Sequence, residues 1–219
     1  MNPVDRAASF FGSIEDVDWS SFDDPGHRVA SALRRLAAQA LAGAPDDVTL
    51  AQLADRLETI APGTVAEGSR YRDQDRSAPD RSRRLRPNGN GTHPLAGPRN
   101  PVAPPIALSL GENRVFGDVT YDVRFEGLPG LVQGGFVAAG FDLMLGQGIA
   151  MAGHGGMTGT LSVRFLAPTP LYELLRYEAW FARREGRKGF AAAHLVVVQS
   201  GARCAEAEGV FITPKGAGS

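Results

Sequence analysis

Hydrophobic positions follow two different periods along the chain. In the first part they recur every three or four residues. Within DPGHRVASALRRLAAQALAG, Val29, Leu33, Leu36 and Ala40 share a helical spacing, with Asp24 and Pro25 placed to start a helix and Gly43 to stop it. DDVTLAQLADRLETIAPG repeats the pattern with Leu50, Leu53, Leu57 and Ile60, and Pro62-Gly63 closes it. Both segments are expected to be surface helices with one buried face. From Pro101 the period shortens to two. PPIALSL opens a strand, and in RVFGDVTYDVRFEG the residues Val115, Val119, Tyr121, Val123 and Phe125 alternate as in a second. MTGTLSVRFLAP, LLRYEAWFARRE, GFAAAHLVVVQS and ARCAEAEGVFIT read as four more, and the short joints EGRKG and QSGA predict antiparallel hairpins among the last three.

Residues 134 to 152 follow neither the stripe nor the alternation: they are apolar on every side. A helix of that kind needs cover all round, which a curved sheet wrapped about it supplies. The stretch SRYRDQDRSAPDRSRRLRPNGNGTHPLAGPRN, residues 69 to 100, is rich in arginine, proline and glycine and nearly free of large aliphatics. It cannot bury enough apolar surface to offset chain entropy and is expected to be a solvated linker. The predicted organisation is therefore α+β: a helical N-terminal extension over 1–68, a linker over 69–100, and a domain over 101–219 in which an antiparallel sheet surrounds one long central helix.

Composition narrows the function classes. The net charge of -1 gives no reason to expect nucleic acid or an anionic membrane as partner, and the single cysteine, Cys204, excludes an internal disulfide. The sequence from Met1 lacks the basic and apolar regions of a secretory signal, so a cytoplasmic home is expected. The apolar run approaches the ~20 residues of a bilayer span, but Asp142, Gln147 and several glycines interrupt it, and a membrane helix is rejected. No His/Cys cluster has metal-ligand spacing, so neither metal nor cofactor is expected. His154 is expected in a loop after the helix, His194 as a structural residue on a strand face, and Cys204 as inert packing.

The chemistry centres on LPGLVQGGFVAAGFDLMLG, where one carboxylate, Asp142, stands in an apolar run that a glycine pair opens. In a helix from Gly134, Asp142 shares a face with Gly135, Ala138, Ala139, Leu145, Gly146 and Ile149, most of them small, so a ligand could lie beside the carboxylate. Gly134 and Gly135 would leave backbone amides at the positive end of the helix dipole, suited to an oxygen on which negative charge develops. The rise from Gly135 to Asp142 is roughly 10.5 Å. Either a substrate spans it, or the amide of one subunit works with the carboxylate of another.

The run G-L-P-G-L-V-Q-G-G, then Asp142, Thr158 in GMTGTLSVRFLAPTP, GRKGF and AEAEGVF, resembles the hotdog-fold acyl-CoA thioesterases of the PaaI-like superfamily, in the branch with the motif H-G-G…D…T. The resemblance covers residues 98 to 214. It implies a hotdog fold whose six-stranded sheet wraps the long helix, dimers or tetramers formed through the sheets, and active sites at the subunit interface. It also implies Asp142 as base or nucleophile, Gly134 N–H as the donor to the thioester carbonyl, and Thr158 as the hydroxyl that assists the acid or the attacking water. Gly135 and Ala138 would adjoin the substrate, and Arg187 and Lys188 would meet the CoA phosphates. Gln133 stands where the family has histidine; it can donate and accept hydrogen bonds but does not titrate near neutrality. The implied function is hydrolysis of an acyl-CoA thioester to free acid and CoA. The alternative is a hotdog protein that binds an acyl ligand without turnover. Hydratase chemistry is the weaker third reading, since the local pattern of hotdog hydratases is absent around Asp142.

Overall fold

The computed structural model describes residues 25–42, 47–60, 93–98, 100–104 and 106–214. Two helices come first, α1 (Pro25–Ala42) and α2 (Asp47–Ile60), then strands β1 (Ala107–Leu110) and β2 (Val115–Val119) and a 3-10 turn, Val123–Phe125. The long helix α3 (Gly134–Met151) follows, and then β3 (Met157–Phe165), β4 (Leu175–Glu185), β5 (Lys188–Val197) and β6 (Arg203–Ile212). The six strands form one antiparallel sheet in the order β1-β2-β4-β5-β6-β3. This is the hotdog fold: the sheet curls about α3, which lies mainly on β4 and β5.

Strand alternation explains the core. Leu175, Tyr177 and Ala179 of β4, Ala191, Ala193 and Leu195 of β5, and Ala205 and Ala207 of β6 are buried beneath Val137, Phe141, Met144 and Leu145 of α3. Small residues on β5 and β6 leave room for the large ones on the helix. The helix in turn carries Gly140 where the Tyr177 ring arrives, and a Cβ there would lie 2.5 Å from Tyr177 Cζ. The Tyr177 hydroxyl donates to Val137 O (3.2 Å) and shares a 2.9 Å hydrogen bond with Tyr121, so two buried tyrosines fix the helix against the sheet.

Four expectations change. First, α3 is not covered on every side: Gly135, Ala138, Ala139, Asp142 and Gly146 form a strip that is exposed or half-buried. Second, the strand expected over Arg114–Gly127 ends at Val119. Asp122 Oδ1 accepts the Arg124 N–H (2.9 Å) and turns the chain into the 3-10 segment, so Val123 and Phe125 keep a strand-like alternation without belonging to a strand. Third, the stripes on the N-terminal helices are not buried faces. Val29 and Leu33 of α1 and Leu50, Leu57 and Ile60 of α2 are exposed and Leu36 and Leu53 only half-buried, while Ala30 of α1 is buried. Helical spacing made the stripes visible, but what covers them lies beyond helical spacing. Fourth, the tract expected to be linker over 69–100 is partly built into the fold. Residues 69–92 and 99 lie outside the described residues, but from His93 the chain is ordered by turns, and Ala96 is fully buried.

At the other side of the sheet, β3 is an edge strand with little cover. Met157 (68% exposed), Phe165 (53%) and, just beyond it, Leu166 (46%) present an apolar edge to the surroundings.

Candidate active site

The loop before α3 builds one half of the site. Gly130, at φ +75°, lets the chain reverse, and its N–H donates to Glu126 Oε1 (2.6 Å). Val132 N–H donates to Thr169 O (2.9 Å) and Gln133 N–H to Phe125 O (2.8 Å), which fixes the two residues leading into the helix from two directions. Gln133 is the N-cap. Its Oε1 accepts from Gly135 N–H (2.6 Å) and Phe136 N–H (3.3 Å). Both glycine amides are expected from the sequence to be unpaired, but that of Gly135 is occupied by the cap, whereas that of Gly134 has no acceptor among the described residues.

Gly134 borders an open groove of about 610 Å³ between this loop and the end of β3. Leu128, Leu131, Gln133, Phe165 and Leu166 line it together with Gly134, and no charged side chain contributes. The Phe165 ring lies close enough that a Cβ on Gly134 would sit 3.2 Å from its Cζ, so a side chain here would press on that ring. Nothing in the sequence pattern marked Phe165, which reads as one more alternating strand residue; its importance comes from standing at the end of an edge strand.

The other half lies further along α3. Asp142 is half-buried on the helix strip, and Oδ1 accepts a 2.7 Å hydrogen bond from Thr158 Oγ1. The two residues expected from the sequence to work together thus meet. A β-bulge at Gly159 follows Thr158, where Thr158 pairs with Phe211 and Thr160 with Val210. The extra residue lies against Ile212, and a side chain on it would meet Ile212 Cδ1 at 2.8 Å, so the bulge sets the direction of the Thr158 side chain. A hydroxyl donating to a carboxylate leaves its own oxygen free to accept from water, and the second carboxylate oxygen has no partner among the described residues.

Gly186, at φ +55°, and Arg187 form the tight β4–β5 turn, and Lys188 opens β5 opposite Glu185. Lys188 and Met157 both pair with Ile212, which puts the turn at the same end of the sheet as Thr158. Lys188 is exposed, while Arg187 Nη1 donates to Thr213 O (3.0 Å). His154, just past α3, approaches Arg184 Nη1 at 3.4 Å; burial and then that guanidinium hold its pKa below the ordinary imidazole value. His194 stands on the outer sheet face, 3.2 Å from a Glu178 oxygen.

Within one chain the two halves are apart. Gly134 touches Phe165 at one end of β3, and Asp142 touches Thr158 at the other. Eight residues of helix separate the amide from the carboxylate, about 12 Å along the axis.

The crystal structure of the thioesterase superfamily protein RHA08564 is 31% identical in sequence to this chain, with a TM-score of 0.69, over 87% of this chain and 92% of that one. The chain belongs to the thioesterase superfamily. The superfamily likeness takes in the N-terminal part as well as the hotdog domain, since 87% of 219 residues cannot be reached from the domain alone. Acyl-coenzyme A thioesterase THEM4 of Bos taurus is 33% identical over 87 residues, 40% of this chain and 35% of that relative, so the match spans about a third of its length. No protein-family model matches the sequence.

Proposed function

We propose that this member of the thioesterase superfamily hydrolyses acyl-CoA thioesters, in the manner of the branch with the motif H-G-G…D…T but with Gln133 at the histidine position. The observation that carries the reading is the Thr158–Asp142 hydrogen bond on the accessible strip of an otherwise buried helix. A carboxylate there has no packing role that an alanine could not fill. In the proposed reaction Asp142 takes a proton from water held with the help of Thr158 Oγ1. The resulting hydroxide attacks the thioester carbonyl, and the Gly134 N–H donates a hydrogen bond to the oxygen on which charge develops. The C–S bond then breaks, CoA leaves as thiolate and is reprotonated, and the free acid remains. Direct attack by Asp142, giving a mixed anhydride that water cleaves, is the second route the same residues support. Arg187 and Lys188 would meet the phosphates of CoA, and Gly135 and Ala138 would line the thioester's path.

The separation of Gly134 from Asp142 supports a site shared by two copies. The midpoint between Leu161 and Ser162 is equidistant in sequence from Thr158 and Phe165. If two β3 edges pair antiparallel about that midpoint, Thr158 of one copy stands opposite Phe165 of the other. The Asp142–Thr158 pair of one subunit then faces the Gly134 amide of its partner.

Gln133 favours the second reading, an acyl-CoA binder without turnover, only if a titrating group is needed at that position. Its role as helix cap is one that needs no proton, which supports hydrolysis. The test is CoA release from a panel of acyl-CoAs by wild type and by Asp142→Asn. A fall of about 10²–10⁴-fold in the variant is expected for a lost acid–base group. Equal rates would remove Asp142 from the mechanism. Acyl-CoA binding by calorimetry with no release from any chain length would establish the binder instead.

A further inference from the structure

Helix α1 is held to the domain in an unusual way. Its apolar side chains Val29 and Leu33 are exposed, while Ala30 is buried and Arg34 reaches inward. The Arg34 guanidinium forks onto one loop, donating from Nη1 to Asn100 O (2.8 Å) and from Nη2 to Pro98 O (3.0 Å), with Ser31 Oγ at 3.2 Å. Such a clasp is directional rather than greasy: a planar fork on two carbonyls fixes position and angle where apolar contact would tolerate sliding.

The clasped loop leads to the site in a short series of contacts. Asn100 O also accepts the Ala103 N–H (3.1 Å), and the next carbonyl, Pro101 O, accepts from Arg124 Nη1 (3.1 Å). Arg124 is locked in turn by two oxygens of Asp122, at 2.9 Å each, and its guanidinium lies 4.9 Å above the Phe125 ring. Phe125 holds the start of α3 twice: its carbonyl takes the Gln133 N–H at 2.8 Å, and its ring meets Phe136 edge-on at 4.9 Å. Gln133 then caps Gly135 and Phe136, and between them stands the open amide of Gly134.

We propose that α1 is a positioning element of the active site and that Arg34 is the residue through which it acts, by fixing the loop and 3-10 turn that orient the Gly134 amide. The catalytic part of this rests on the hydrolytic reading above; the mechanical part does not. Helix α1 buries Ala30 and half-buries Leu36 while Val29 and Leu33 stay exposed, so its placement of the cap is the contribution that distinguishes it from an appendage.

The experiment compares wild type, Arg34→Ala and Arg34→Lys by amide hydrogen exchange and by steady-state kinetics. In Arg34→Ala the amides of Gln133, Gly135 and Phe136 are expected to exchange about tenfold faster while the core amides of β4 and β5 keep their rates, the signature of local rather than global opening. Turnover is expected to fall by about tenfold with KM changed less than twofold, because the displaced group serves the transition state. Arg34→Lys, which keeps the charge but loses the planar fork, should recover only a minor part of either effect. Unchanged exchange at residues 133–136, or acceleration spread evenly over the whole sheet, overturns the proposal. If wild type releases CoA from no substrate, hydrolysis is wrong, and the exchange data alone still decide whether α1 holds the cap.

Discussion

Asp142, Thr158 and Gln133 are the residues on which the proposed hydrolysis turns, and each can be altered alone. Asp142 was legible because a charge in an apolar run calls for a reason, and Thr158 because it fits the superfamily pattern; the fold brings them to 2.7 Å. Gln133 was legible only as a departure. Its function as N-cap depends on one rotamer aimed at two amides, and no periodicity reports that. Two predictions belong here. Thr158→Val removes the donor to Asp142 without changing the size of the side chain. Hydrogen bonds to charged groups are worth about 1.5–3 kcal/mol, so CoA release should slow by roughly ten- to a hundredfold, with Thr158→Ser close to wild type. Equal activity in Thr158→Val would detach the hydroxyl from the reaction. Gln133→Ala leaves two helix-end amides without their acceptor and should lower stability by about 1 kcal/mol, read as a shift in the urea midpoint at unchanged slope. A variant with an unmoved midpoint would mean that water replaces the cap without cost.

At the scale of elements, strand alternation located β3 to β6 to within about three residues at each end, most clearly β4, β5 and β6, which have one face on the core. It failed where a turn mimics alternation, at Val123–Phe125, and it could not tell that the helical stripes of α1 and α2 would be left open. The element that most needs accurate placement is α3, because both halves of the site ride on it. Its depth is set by the Tyr121–Tyr177–Val137 series of hydrogen bonds. Burial pushes the Tyr121 hydroxyl up to about 12 and that of Tyr177 well above its ordinary value, so both stay neutral donors at any working pH. Since Tyr177 donates to Val137 O, Tyr121 donates to Tyr177. Tyr177→Phe therefore strands a buried donor on Tyr121 and should cost about 1–3 kcal/mol. Tyr121→Phe strands only an acceptor lone pair and should cost less. Denaturant unfolding of both singles and the double checks the order: the double should fall short of the sum, because the second substitution removes the group the first left unpaired. Additive costs would show that the two hydroxyls act independently.

For the whole molecule, the question is what covers the β3 edge. A nine-residue strand that leaves Met157 exposed, and runs into the exposed Phe165 and Leu166, is a surface a free monomer seldom keeps. Strand periodicity carries no sign of this, because which strand lies at the margin is decided by topology and not by alternation. Antiparallel pairing about the Leu161–Ser162 midpoint makes a prediction specific to that register: Met157 of one copy falls opposite Leu166 of the other. Directly opposed residues on an antiparallel pair interact, and like charges there are destabilising while opposite charges contribute roughly 0.2–1 kcal/mol. The double variant Met157→Lys/Leu166→Lys should therefore dissociate, seen by light scattering as a fall to the monomer mass, and lose CoA release with it, since each site would lack the partner's amide or carboxylate. Met157→Lys/Leu166→Glu, equally polar but complementary across the same two contacts, should reassociate and regain activity. Recovery in the second and loss in the first would follow from this register and from no general effect of polarity. A wild type that scatters as a monomer while turning over substrate at full rate would break the link, and the 12 Å between Gly134 and Asp142 would then have to be bridged inside one chain.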